Sequence, residues 1–489
     1  MKSLVLKSPT MLRLEGFSES EVASLLAYTD KSIDYVLNKA RNNRFLRRQL
    51  GEEGFAQHIA KLQAQRNQSL LRKDKDGLWT YPGAGPRIAK QFGLTIENKV
   101  RYPECKLMPW NKIPFPMRDY QEQAVEKLME SRHAAVSIGT GLGKSRILLQ
   151  LAKEHSLKTV IVCPSVSIAN QLYQDFVSSF GAKSAGRFFG GKKESAKRFV
   201  VAVDDSLAKV DEASPHWKHL SQTSVLVWDE SHTSASQTLE KVCHGLLGNA
   251  PYRYFFSATQ IRNDGKGPLL ESIIGPVVYE MTVEDGVRGK WLAQPMFRIV
   301  TVGTTADEHP SDPNEATRAH LLYNPHAISK AAHIANLMVE QLNRPTVILI
   351  KEVAQFKFLL PLLRHKVGFA HGGSSEKSKD SIPDEYQKSD PTELVRQFND
   401  GELPILVGTS CITTGTDIRP VKCVIFLRGG KSEIDLKQSI GRGTRRPQGK
   451  EDFFFVDFDV PDNDVVTRHS QVRREIYREV YPDVEDVNL

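Results

Sequence analysis

The sequence predicts an α/β protein with two tandem parallel-sheet domains and a small basic α+β domain at its N-terminus. Three observations carry this. From about residue 118, short apolar runs alternate with amphipathic stretches, as in parallel α/β folds. The runs come in two consecutive series. Of the net charge of +8, +7 falls in residues 1–100, which hold 17 Lys and Arg against 10 Asp and Glu. A chain of 489 residues also exceeds a single core.

In order, Ser18 and Glu21 have capping-box spacing and open a helix through Leu26. Helical stretches follow around 31–50 and 53–66, and DGLWTYPGAGPRI, 76–88, reads as strand and turn. The first strand series is AAVSIG (134–139), TVIVCP (159–164), FVVAV (199–203), SVLVWD (224–229) and RYFFSAT (253–259). The second is TVILIK (346–351), VGFAHG (367–372), PILVGT (404–409), CVIFLR (423–428) and DFFFVDF (452–458). The polar stretch 372–390 reads as an exposed loop. Val472, Ile476 and Val480, four apart, mark a closing helix. The expected division is 1–110, 111–295, 296–460 and a helical tail, 461–489.

Composition narrows the function classes. The 40% hydrophobic and 25% charged fractions fit a soluble globular protein, with no apolar run long enough for a membrane span. The N-terminal run Leu4-Val5-Leu6 is too short for a signal-peptide core. Five scattered cysteines with no CxxC pair and no zinc-like spacing point to reduced thiols in a cytoplasmic compartment and argue against a structural metal. A basic end on a nearly neutral body fits a polyanion partner, and equally a solvated charged face.

IGTGLGKSRILL, 138–149, follows an expected strand and opens a helix. Backbone N–H groups of a glycine-rich turn can wrap phosphates, helped by the positive helix end. Lys144 then supplies a point charge and Ser145 a hydroxyl for Mg²⁺. In SVLVWDESHTS, 224–234, an apolar strand closes in two adjacent carboxylates, which is costly unless a cation is needed there. Asp229 would hold Mg²⁺ through its water shell, Glu230 would polarise the attacking water, and His232 would relay between ligands. Alone, a D-E pair at a strand end also fits a turn or helix cap; the phosphate loop decides against that.

GTGLGKS, DESH, SAT (257–259), GTD (415–417) and QSIGRGTR (438–445) resemble, in order, motifs I, II, III, V and VI of superfamily 2 helicases. The likeness spans residues 118–460. DESH resembles the DExH group. SATQIRNDGKG, 257–267, followed by GPVVYEMTVEDGVRGKWLAQP, resembles UvsW and RecG-type DNA remodelling enzymes, including phage-encoded branch-migration helicases. The resemblance implies two RecA-like domains, ATP in the cleft between them and nucleic acid across their top.

Residue by residue, the resemblance implies ATP contacts from Gly139, Thr140, Gly141, Gly143, Lys144 and Ser145, with Gln121 and Arg118 at the adenine. Pro164 and Ser165, and the pair Gly190-Gly191, resemble strand-contacting motifs whose amides and small hydroxyls suit phosphate. Ser257 and Thr259, with His232, resemble coupling residues. Thr409 resembles a nucleic-acid contact, and Gly415 and Asp417 the nucleotide-side end of motif V. Gln438, Arg442 and Arg445 match QxxGRxxR. Two arginines three apart share a helix face and can project to a phosphate. Such a finger supplies about 10³ to 10⁵ in rate. By itself GRGTRR also fits a solvated basic loop. Three positions depart from the family pattern, Ile138, Asp205 and Gln260, and none removes a catalytic group.

Lys39, Arg41, Arg44, Arg47 and Arg48 are spaced to give a basic helix surface for a second DNA arm. Trp79 and Tyr81 alternate with polar residues; packing in a small core is the expected role, stacking on a splayed base the alternative. The function expected is an ATP- and Mg²⁺-dependent DNA helicase or translocase. It would act as a cytoplasmic monomer (in the host cytoplasm if phage-encoded) and remodel forked and Holliday-like DNA. A helicase on RNA or RNA–DNA hybrids, a motor subunit without strand separation, and a DNA-binding scaffold with a degenerate ATPase stay open.

Overall fold

The computed structural model describes all residues except 1, 106–107, 113, 235, 258–263, 305, 307–309, 311, 373–381, 388, 410–411, 413–417, 448 and 488–489. The chain forms two compact units, residues 1–138 with 144–280, and residues 139–143 with 281–489.

The first unit opens with β1 (Ser3–Ser8), β2 (Met11–Glu15), β3 (Ala27–Thr29), β4 (Asn67–Ser69), β5 (Arg72–Asp74), β6 (Gly77–Thr80) and β7 (Ile96–Asn98). Five of these make a mixed sheet in the order β5-β6-β2-β1-β7. Leu4 and Leu6, then Leu12 and Leu14, face the core at the period of two that strands impose. The capping box of Ser18 and Glu21 starts a helix over Glu19–Leu26.

Between β3 and β4, which pair antiparallel, runs a helical hairpin of Ser32–Arg41 and Arg44–Arg66. The expected helix over 31–50 is thus broken. Asn43 accepts the Leu46 N–H at 3.0 Å and caps a new helix. Gly51 (φ 70°, ψ 172°) kinks that helix in a region open only to glycine.

The first large sheet, largely parallel, comprises β8 (His133–Ile138), β9 (Thr159–Cys163), β10 (Ala185–Phe189), β11 (Lys192–Lys193), β12 (Phe199–Val203), β13 (Val225–Trp228), β14 (Tyr252–Ser257) and β15 (Val277–Met281), with β10 and β11 paired antiparallel. Their order is β11-β10-β12-β9-β13-β14-β8-β15. β9, β13, β14 and β8 are parallel neighbours, so the segments leaving their carboxyl ends meet at one edge. The N-terminal sheet is not a separate globule. Leu4, Leu12, Tyr81 and Ile88 join Trp228, Leu269 and Ile273 in one apolar cluster. Gly83 approaches the helix Gly267–Ile274 so closely that a Cβ would lie 2.2 Å from the Glu271 carbonyl.

The second unit is built on β16 (Gln294–Thr301), β17 (Thr346–Ile350), β18 (Val367–Ala370), β19 (Ile405–Gly408), β20 (Cys423–Leu427), β21 (Asp452–Asp459) and β22 (Val484–Val487). The order is β18-β19-β17-β20-β21-β16-β22 and every pairing is parallel. The segment expected as a helical tail holds the helix Asp464–Val480 and also β22, which pairs with β16. That helix is fixed by a buried ion pair. Arg473 donates to both Asp457 oxygens at 2.7 and 3.1 Å, and the Tyr477 hydroxyl donates to the same carboxylate at 2.8 Å.

Candidate active site and nucleic-acid contacts

In the first unit Lys144 begins the helix Lys144–His155 that follows β8 and the glycine-rich loop, while Asp229 and Glu230 leave the end of β13. The Lys144 ammonium donates to the Glu230 carboxylate and lies 3.9 Å from Asp229 Oδ1. All three side chains are at most 17% exposed, so this charge cluster sits in a poorly solvated setting. Burial raises the Asp229 carboxyl to about 6; Lys144 opposes the shift and Glu230 adds to it. Glu230 also holds φ at +51°, the left-handed region that costs a side-chain-bearing residue about 1–2 kcal/mol. Such strain concentrates at functional positions.

His232 Nδ1 shares a 2.6 Å hydrogen bond with the Ser257 hydroxyl at the end of β14 and stands 3.5 Å from Glu230 Oε2. This hydrogen bond joins the DESH segment to the start of the SAT segment. Thr259, like Gly415 and Asp417, lies outside the described residues. Arg118 and Gln121 form a helix-capping pair: Gln121 Oε1 accepts the Arg118 backbone N–H at 3.0 Å. Ser145 lies in the first turn of its helix. Ser165 caps the helix Val166–Phe180, accepting from Ile168 at 3.4 Å, directly after Pro164. Gly190 and Gly191, with φ of 56° and 78°, turn the chain between β10 and β11.

In the second unit Gln438 and Arg442 lie on the helix Glu433–Gly443, and Arg442 is buried. The shared helix face expected for Arg442 and Arg445 is corrected here. The helix stops at Gly443 and Arg445 lies beyond it. Gly443 cannot be anything larger, because a Cβ would sit 2.0 Å from the Phe453 ring. Lys450 donates to the Gly443 carbonyl and holds this turn. Burial lowers Arg445 to about 10, and lowers Lys450 to about 7 with help from the nearby charges of Arg445 and Lys422. The loop residues Gly139–Gly143 pack within this unit. A Cβ on Gly441 would meet the Thr140 Cβ at 2.6 Å, and Gly141, at φ +86°, lies against Thr444. Thr409 is buried just after β19, its N–H donating to the Ala370 carbonyl at 3.2 Å.

The basic surface is divided between two helices, Lys39 and Arg41 on the first and Arg44, Arg47 and Arg48 on the second, all exposed. Arg47 is already engaged by Glu52 at 2.7 and 2.9 Å. Tyr81 is buried, donating to Glu240, with Trp79 set edge-on against it, so packing is their role. Within residues 1–100 the exposed aromatics are instead Tyr35 and Phe45. Their signal in the sequence was an aromatic beside basic residues at helical spacing.

The family described as type III restriction enzyme, res subunit, matches residues 114–262, and the helicase conserved C-terminal domain matches residues 329–447. The DNA 3'-5' translocase XPB2 of Sulfurisphaera tokodaii is 21% identical across 69% of this chain and 82% of its own length. The ATP-dependent DNA helicase uvsW of Enterobacteria phage T4 is 22% identical across 68% of this chain and 66% of its own. In fold, S. cerevisiae Dbp5 bound to RNA and ADP BeF3 is similar, with a TM-score of 0.52 and 14% identity over 76% of this chain and 89% of that one. Among the described residues no helix is long and apolar enough to cross a membrane. With its two tandem RecA-like domains and motifs I, II, III, V and VI in order, the chain belongs to the superfamily 2 helicases and resembles the UvsW type.

Proposed function

We propose that this ATP-dependent helicase is of the DExH type, works on DNA, and unwinds or branch-migrates forked and Holliday-like substrates. The observation that carries the motor chemistry is the Lys144–Glu230 ion pair beside Asp229, past the carboxyl ends of β8 and β13, the parallel strands on either side of β14. In this reading an arriving phosphate takes over Lys144, and Glu230, released from it, orients the attacking water. Ser145 and Asp229 offer the hard oxygen donors that suit Mg²⁺, and a buried carboxyl already pushed upward by burial is relieved by a cation. Bound Mg²⁺ would neutralise charge on the phosphates.

Arg442 and Arg445 act on the γ-phosphate, with Gln438 beside them. Arg118 and Gln121 lie at the base, and Gly415 and Asp417 at the nucleotide-side end of motif V. Pro164, Ser165, Gly190, Gly191 and Thr409 hold one strand by its backbone. The preference for branched DNA is supported by the basic N-terminal segment. A second arm bound there gives the enzyme two grips on one junction, with steep salt dependence from released counterions.

The test is ATP turnover with forked DNA, linear duplex or RNA added. Strongest stimulation by the fork, lost in Lys144→Ala, is the expected result. Strongest stimulation by RNA overturns the DNA assignment.

A further inference from the structure

Four of the exposed large apolar side chains, Tyr35, Val36, Phe45 and Leu50, fall on the helical hairpin within residues 35–50. The hairpin has only a small core of Leu37, Ala40 and Leu62, flanked by Ile33, Leu46 and Ile59. Ile33, Leu37 and Ala40 define the inner face of the first helix at i, i+4 and i+7, so Tyr35 and Lys39, four apart, lie on the opposite face. On the segment before the Gly51 kink, Leu46 faces inward. Arg44, Phe45 and Arg48 then share the outer face. Tyr35 is 75% and Phe45 76% exposed, each beside a cation at helical spacing.

The hairpin is held firmly at its foot. The Lys31 N–H donates to the Asp264 carbonyl at 2.8 Å, and Lys266 pairs with Asp30 at 3.0 Å. Across the kink, Arg47 pairs with Glu52 and covers the Phe55 ring. Nearby acids are already engaged, Asp34 by Arg66 at 2.6 Å and Glu52 by Arg47. The outer face that remains is aromatic and positive.

We propose that this face binds an unpaired nucleic-acid strand, with bases stacking on Phe45 and Tyr35 and phosphates on Lys39, Arg44 and Arg48. A duplex presents phosphates but keeps its base faces stacked inside. Only a single strand can use a cation and an exposed ring together. The inference deepens the proposed function and rests on it, by assigning the hairpin the displaced strand of a branched substrate.

The test is fluorescence anisotropy on the full chain without nucleotide, using labelled oligo(dT) and a blunt duplex of equal length across a salt series. Phe45→Ala weakens oligo(dT) binding about tenfold and leaves duplex affinity within about twofold, with the salt slope unchanged. Phe45→Trp retains full oligo(dT) affinity, which separates stacking from loss of fold. Arg44→Ala weakens both ligands and lowers the salt slope by about one. If Phe45→Ala and Tyr35→Ala leave oligo(dT) affinity unchanged, or weaken the duplex equally, the proposal fails. Stimulation of wild-type ATP turnover by DNA is read separately, so failure of the hairpin site and failure of the motor assignment are distinguishable.

Discussion

Lys144 and Glu230 are joined in an ion pair although they follow different strands of the first large sheet, and the Glu230 backbone is left-handed. The phosphate-loop cation is therefore occupied by the acid proposed to activate water. Lys144→Ala is expected to lower ATP turnover at least about 100-fold while the far-UV spectrum stays native, since the change removes transition-state charge stabilisation. Glu230→Gln should keep nucleotide binding and lose hydrolysis, measured by equilibrium binding alongside steady-state turnover.

Arg442 and Arg445 occupy different local structures, one inside a helix and one past its end. Each replacement by Ala is expected to lower kcat by about 10³ with a smaller change in KM. Lys at position 442 should fail to rescue, because a point charge lacks the guanidinium fork. Retained kcat in both Ala variants would remove these arginines from the reaction.

The Arg473–Asp457 pair is fully buried and also engages Tyr477 and the Gly430 carbonyl, the latter at 2.7 Å. Arg473→Ala strands a buried carboxylate and should cost about 3–5 kcal/mol in urea unfolding. Replacing both partners by apolar residues of similar volume is expected to recover most of that loss.

His155 is buried, with Nε2 bonded to the Tyr254 hydroxyl at 2.8 Å, and desolvation lowers its pKa from 6.5 to about 4. In the unfolded chain it titrates near 6.5, so below that value the unfolded form binds a proton that the native ring refuses. Its contribution is fully present above pH 6.5 and is lost as pH falls towards 4, at up to about 1.4 kcal/mol per pH unit. Denaturation curves at neutral and mildly acidic pH check this, with His155→Gln flattening the profile.

How much of this was legible in sequence follows from what each element relies on. All ten strands of the two expected series appear, because strands of a parallel sheet covered on both sides are apolar on both faces. β22, with the sequence VEDV, sits on an edge and is held by backbone pairing and by the ion pairs Arg474–Asp486 and Arg298–Glu485, so it left no apolar run to read. β16 carries Gln294 and Pro295 at its start, and the expected domain boundary between 295 and 296 fell inside it. The break at residues 42–43 depended on which asparagine would cap, and the stop at Gly443 on the approach of Phe453, a contact between β21 and a distant helix. At the site, the Lys144, Asp229 and Glu230 assembly was legible because strand ends and loop chemistry are local. That Phe45 would be exposed while Tyr81 is buried required the hairpin core to be known.

The shared apolar cluster has a consequence for synthesis. Residues up to Ile88 leave the ribosome early, yet their partners Leu269, Leu270, Ile273 and Ile274 are translated far later. At about 5–20 residues per second the wait is on the order of 10–40 s. Throughout that interval the nascent N-terminal sheet holds Leu4, Leu12 and Ile88 without their final cover, which makes it a natural client for chaperones acting at the exit tunnel.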